Sequence, residues 1–87
     1  MAVVHVPRSL AALIPGMPRT ATVSGDDVRG VIMALEAAYP GVLDRLCEPG
    51  PRIRPFINLF VDGVRAEMTT PVGPASIIHV VPAVAGG

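Results

Sequence analysis

The stretch Ser24-Gly25-Asp26-Asp27-Val28-Arg29-Gly30-Val31-Ile32-Met33-Ala34-Leu35-Glu36-Ala37-Ala38-Tyr39-Pro40-Gly41 reads as the one main helix of an 87-residue chain whose other regular segments are strands. Ser24 is placed to cap it, with Asp27 at the capping-box distance, and both Asp26 and Asp27 sit where the helix dipole favours negative charge. Val28, Val31, Ile32, Leu35 and Tyr39 recur at i, i+3, i+4, i+7 and i+11, which places them on a single apolar face. Arg29 and Glu36 fall on the opposite, polar face. Gly30 costs about 1 kcal/mol relative to alanine in a helix interior, and Pro40-Gly41 ends the element. This stripe is core packing, because nothing polar converges along it as a ligand site would require.

Working outward to the N-terminal side, Ala2 to Val6 is a β-branched run closed by Pro7, which lacks a ladder donor. Leu10 to Ile14 and Pro15-Gly16-Met17-Pro18 form a turn-rich connection. Arg19 to Val23 alternates and pairs with the first strand as a hairpin. On the C-terminal side, Val42, Leu43 and Leu46 make a short helical turn, and Glu48-Pro49-Gly50-Pro51 is a loop. Phe56-Ile57-Asn58-Leu59-Phe60-Val61 is the strongest strand signal, and Asp62-Gly63 is a tight hairpin turn into a short fourth strand. Met68 to Pro74 is irregular, and Ile77 to Val81 is the last strand, stopped at Pro82.

Strand, strand, helix, strand, short strand, strand is the order of a β-grasp (ubiquitin-like) fold of the α+β class. Its mixed sheet of four to five strands buries one face against one main helix. In that arrangement the first and last strands are parallel neighbours, so the C-terminal segment leaves from the sheet centre. The expected organisation is a β-grasp domain over residues 1–82 and a flexible Gly-Gly tail over 83–87.

Composition narrows the function classes. A chain of this size buries only about 60 to 65% of its unfolded surface, which leaves little room for a catalytic cleft. No apolar run approaches the roughly 20 residues of a membrane span, and Pro7 and Arg8 interrupt anything resembling a secretory leader. Seven arginines balance seven acids and are scattered, without the basic, aromatic-interleaved stripe of a nucleic-acid surface. The lone Cys47 excludes an intramolecular disulfide and fits a reducing, cytoplasmic compartment. No companion base marks it as catalytic. His5 and His79 lack a third convergent ligand, so no metal is expected, although they would make a surface carrying them pH-sensitive. Asp26 and Asp27 are explained by capping and do not form an acid/base pair. Lysine is absent, which excludes Schiff-base chemistry and self-linked isopeptide chains.

The chemistry-bearing segment is instead the ending Val80-Val81-Pro82-Ala83-Val84-Ala85-Gly86-Gly87. A terminal Gly86-Gly87 passes through a channel too narrow for side chains, and Ala85 is nearly as small. The carboxylate of Gly87 is ionised at neutral pH and can attack an activated phosphate. Alternation adds a docking face: if Ile57, Leu59, Val61, Ile78 and Val80 point toward the helix, then Asn58, Phe60, His79 and Val81 point away from it. That face would present Phe60 and Val81 as an exposed apolar cluster, with His5 and His79 nearby.

These residues resemble the ubiquitin-like sulfur carriers, which include the small subunit of molybdopterin synthase, the thiamine-pathway carrier and a cysteine-biosynthesis carrier. The likeness rests on Val81-Pro82-Ala83-Val84-Ala85-Gly86-Gly87, on Phe56 to Val61, and on Leu35-Glu36-Ala37-Ala38-Tyr39-Pro40-Gly41. The Tyr-Pro-Gly points toward the molybdopterin-synthase and cysteine-carrier branch. The resemblance implies a protein cosubstrate and not an enzyme. A ubiquitin-activating-type adenylating enzyme would use ATP to adenylate Gly87, a sulfur donor would displace AMP to leave a thiocarboxylate, and a sulfur-accepting synthase would take the sulfur. No cofactor would be bound permanently, and neither nucleic acid nor membrane is expected as a partner. One departure is Gly73-Pro74-Ala75-Ser76, where family members commonly carry an acidic-Gly-acidic turn, so a short or missing fourth strand is allowed for. The same tail would serve a protein modifier that forms isopeptides through Gly87, and a plain binding module with idle glycines is a third possibility.

Overall fold

The structure is a computed structural model and describes residues 1–83. Its elements are β1 (Ala2–His5), α1 (Arg8–Ala11), β2 (Thr20–Val23), α2 (Val28–Ala38), α3 (Val42–Leu46), β3 (Cys47–Glu48), β4 (Arg52–Ile53), β5 (Ile57–Val61), β6 (Val64–Ala66) and β7 (Ile77–Pro82). Five strands form one mixed sheet in the order β2-β1-β7-β5-β6, and β3 and β4 form a separate hairpin. The β1/β2 hairpin is antiparallel, β1 and β7 are parallel with His5 opposite His79, and β7 and β5 are antiparallel from Ile57–Pro82 to Val61–Ile78. This is the β-grasp arrangement, with the last strand at the centre of the sheet.

The core is the meeting of the apolar face of α2 with alternate strand residues. Val28, Val31, Ile32 and Leu35 join Val4, Leu59, Ile78 and Val80 in one buried cluster, completed by Val42 and Leu46 of α3. Tyr39, the last member of the periodic stripe, is the C-cap and is half-buried. Asp62 (φ 51°) and Gly63 (φ 84°) both adopt positive φ, which joins β5 to β6 by the turn whose twist matches the flanking strands.

The helix start differs from the expected capping box. Asp27 is the N-cap, and its Oδ1 accepts from the Gly30 backbone N–H at 2.7 Å. Ser24 stands outside the helix. Two glycines explain the displacement. A Cβ on Gly25 would lie 2.6 Å from the Val31 nitrogen and 2.9 Å from the Gly30 carbonyl carbon, so the chain before the helix folds directly against its first turn. At Gly30 a Cβ would come within 3.2 Å of the Asp27 carboxylate, so the residue that weakens the helix interior also admits the cap.

Two further segments depart from expectation, and the short fourth strand is found where it was expected. The connection expected to be turn-rich opens with α1, a single helical turn from Arg8 to Ala11 that buries Leu10 and Ala11. The Glu48–Pro51 loop is the turn of the β3/β4 hairpin, whose registers are Cys47–Ile53 and Glu48–Arg52. The fourth sheet strand is present as β6, and Gly73-Pro74-Ala75-Ser76 turns by its own means, the buried Ser76 hydroxyl accepting from the Gly73 N–H at 2.9 Å. Glu36 is more than a solvated polar-face residue. Its Oε1 accepts from Gly41 N (3.1 Å) and Leu43 N (2.9 Å), capping the start of α3.

Candidate functional site

Strand alternation places the four docking candidates together. His79 lies between His5 on β1 and Phe60 on β5, and Phe60 lies opposite Arg65 on β6. With Thr20 opposite His5, the residues Thr20, His5, His79, Phe60 and Arg65 form one row across all five strands. Val81 and Asn58 face each other in the adjoining row. Their inward neighbours Ile57, Leu59, Ile78 and Val80 are buried, so the face carrying the row is the one that α2 does not cover.

The surface is less open than a freely exposed cluster. Val81 is 43% exposed and His79 is exposed, whereas Phe60 and Asn58 are half-buried between flanking strands. The His5 and His79 rings stack with centroids 4.8 Å apart and an interplanar angle of 19°, and His5 Nδ1 lies 3.3 Å from the Thr20 hydroxyl. Parallel pairing of β1 with β7 sets this stack, since it brings equivalent positions of the two strands side by side. Ile77, also 43% exposed and opposite Val3, extends the apolar character of the face toward the start of β7. Alternation from Val81 reaches Ile77 in two steps of two, so the signal for it was available in the sequence.

Among the described residues no group of three or more His, Cys, Asp or Glu side chains converges as a metal would need, and no helix is long and apolar enough to cross a membrane. Cys47 is buried beside Met68, with the sulfurs 4.0 Å apart. Burial pushes its thiol up from the ordinary range, and the Arg54 charge opposes that only in part. A protonated, buried thiol is a poor nucleophile.

The last described residues are held by the sheet. Pro82 is paired with Ile57, and the Ala83 N–H donates to the Phe56 carbonyl at 2.7 Å. Pro82 lies past the end of β1, whose pairing with β7 stops at His79, so the missing proline N–H leaves no β1 bond unmade. The expected threading residues Ala85 and Gly86 and the expected covalent site Gly87 lie outside the described residues.

No known family profile matches the chain. It is 33% identical over 78 residues to the sulfur carrier protein CysO of Mycobacterium tuberculosis, the match covering 83% of this chain and 84% of that one. The CysO of Mycobacterium bovis matches equally. Among solved structures, CysO of Mycobacterium tuberculosis superposes with a TM-score of 0.86 at 27% identity, covering 97% of this chain and all of that one. A chain from the Amycolatopsis orientalis BexX/CysO complex gives a TM-score of 0.90 at 24% identity over the full length of both. The Haloferax volcanii protein SAMP1 shares the fold with a TM-score of 0.77 at 22% identity, covering 99% of this chain and 98% of that one.

Proposed function

Since the chain belongs to the ubiquitin-like sulfur carrier family, we propose that it is a protein cosubstrate that carries sulfur as a thiocarboxylate on Gly87. An adenylating enzyme of the ubiquitin-activating type binds the domain and consumes ATP. The Gly87 carboxylate attacks the α-phosphate, pyrophosphate leaves, and the resulting acyl-adenylate is opened by a sulfur donor that displaces AMP. A sulfur-accepting synthase then takes sulfur from the thiocarboxylate in a biosynthetic reaction. Adenylation is needed because a carboxylate is a poor acyl donor, and AMP is the leaving group it lacks.

The observation that carries this reading is the position of β7. The strand at the sheet centre, paired on both sides, ends at Pro82 shortly before the Gly86-Gly87 pair of the sequence. A domain of this kind presents its terminus to an enzyme while keeping its own fold intact. The row His5, His79 and Phe60, with Val81 and Asn58, is one surface through which partners recognise the carrier. Its half-buried Phe60 and partly exposed Val81 offer apolar area without loosening the core.

The test is the intact mass of the protein purified from its host. A species with one terminal oxygen replaced by sulfur, absent after deletion of Gly87, is expected. Detection of only the carboxylate, together with Gly86-Gly87 remnants on lysines of other proteins, would replace this reading with that of a modifier.

A further inference from the structure

Away from the helix-free face, a groove of about 500 Å³ opens at the end of the molecule where β7 finishes. Leu13, just after α1, and Phe56, just before β5, line it with 53% and 56% of their surfaces exposed, together with Pro82. Arg45 of α3 and Arg54 line it together with Asp44. Arg54 donates from Nε (3.1 Å) and Nη2 (2.9 Å) to the Asp44 carbonyl, a partner without full charge. Among the described residues the one ion pair joins Arg52 to Glu48, so the rim holds two cations against a single carboxylate.

The whole chain is formally neutral and its charges are unevenly placed along the strands, although Arg29 and Arg65 stand near Asp27 and Asp62, and Asp44 lines the groove. Arg19 lies at the same end as the groove, its carbonyl accepting from Val6 just past β1, and Arg8 opens α1 shortly after β1. At the opposite end Asp62 accepts from the Ile77 N–H at the start of β7, the Asp26 carbonyl accepts from Val72, and Asp27 bridges to Pro71. A local surplus of positive charge of this kind helps to orient an approaching partner before contact.

We propose that this groove docks the adenylating enzyme, seating an apolar side chain of that enzyme between Leu13 and Phe56 while its carboxylates face Arg45 and Arg54. The proposal rests on the functional reading above. Even fully extended, the five residues after Pro82 reach at most about 18 Å, so an enzyme acting on the Gly87 carboxylate must come up against the surface around Pro82. The apolar pair and the surplus of positive charge make an acidic, apolar-centred segment the complementary occupant. Charge at the rim of such a contact acts mainly on encounter rate and salt dependence.

The experiment measures carrier-dependent AMP release by the purified adenylating enzyme at low and high ionic strength, using wild type, Arg45→Glu, Leu13→Ser and, as a control on the outer side of α2, Arg29→Glu. Arg45→Glu is expected to raise KM for the carrier by about tenfold at low salt with kcat little changed, the gap closing as salt screens the charge. Leu13→Ser should raise KM at both salt concentrations, and Arg29→Glu should leave it alone. Thermal melts report folding, and if one groove variant fails to fold the other decides. Unchanged KM for the groove variants, with wild type adenylated, overturns the proposal and leaves the functional reading standing. Absence of adenylation of wild type by any such enzyme removes both. Unchanged loading accompanied by loss of a self-association seen in sedimentation would assign the groove to a second copy and also overturn it.

Discussion

Along β7, Ile78 and Val80 are 2% and 5% exposed while their neighbours Ile77 and Val81 are each 43% exposed. The two faces of the sheet are thus made from alternate residues of the same strands, and they are under different demands. The inner face meets α2 in one buried apolar cluster, where close packing makes side-chain volume decisive. The outer face carries two stacked histidines, a half-buried phenylalanine, an asparagine and an arginine in two adjacent rows. That mixture is not what folding requires. The comparison separates residues that hold the domain from residues that, under the proposed function, are available to partners.

The contrast breaks most visibly on the inner face. Leu35→Ala removes a side chain that is 1% exposed and should cost about 2 to 5 kcal/mol, read as a large fall in the urea midpoint. For a domain of this size such a loss consumes much of the total stability. Next, Asp27→Ala deletes the carboxylate that caps α2 through Gly30 and should cost about 1 kcal/mol, with Asp27→Ser recovering most of it. Ser24→Ala should change little, since Ser24 stands outside the helix.

On the outer face the expected signs separate. Val81→Ser should shift stability by no more than about 0.5 kcal/mol, yet weaken binding to a carrier-recognising partner by about 1 kcal/mol or more in calorimetric titration. Equal losses in both measurements would erase the distinction between the faces. The smallest effect belongs to Cys47. Its folded thiol holds its proton more tightly than an unfolded one, so the folded state binds more protons once pH passes about 8.5. The associated stability is fully present below that pH and is lost as pH rises through the folded-state value. A denaturation series across this range should show a downward slope that Cys47→Ala abolishes.

How much of this was legible in the sequence depended on the range over which each signal acts. β1, β2, β5, β7 and the apolar face of α2 follow from alternation or helical spacing within a few residues, and with them the topology and both sheet faces. The cap was misplaced from Asp27 to Ser24 because capping patterns say nothing of Gly25 folding back on Val31. Glu36 was read only as a polar-face residue because its partners Gly41 and Leu43 become neighbours only after the chain turns at Pro40-Gly41. The β3/β4 hairpin has two-residue strands, too short for any periodicity. The groove at Pro82 draws on α1, α3 and the start of β5, segments far apart in sequence, so no local pattern announces it. The Gly86-Gly87 reading came from chemistry and lies outside the described residues.

The parallel pairing of β1 with β7 also has a mechanical meaning. Met1, bonded through its amino group to the Pro74 carbonyl, is at one end of the sheet, and β7 finishes at the other. Force applied between the two termini therefore runs along the strands and loads the rungs joining β7 to β1 together, instead of opening them one after another like a zip. On its other side β7 is further secured by its pairing with β5 from Ile78 to Pro82. Any pull on the chain beyond β7 is, in this geometry, applied along the domain's most resistant direction.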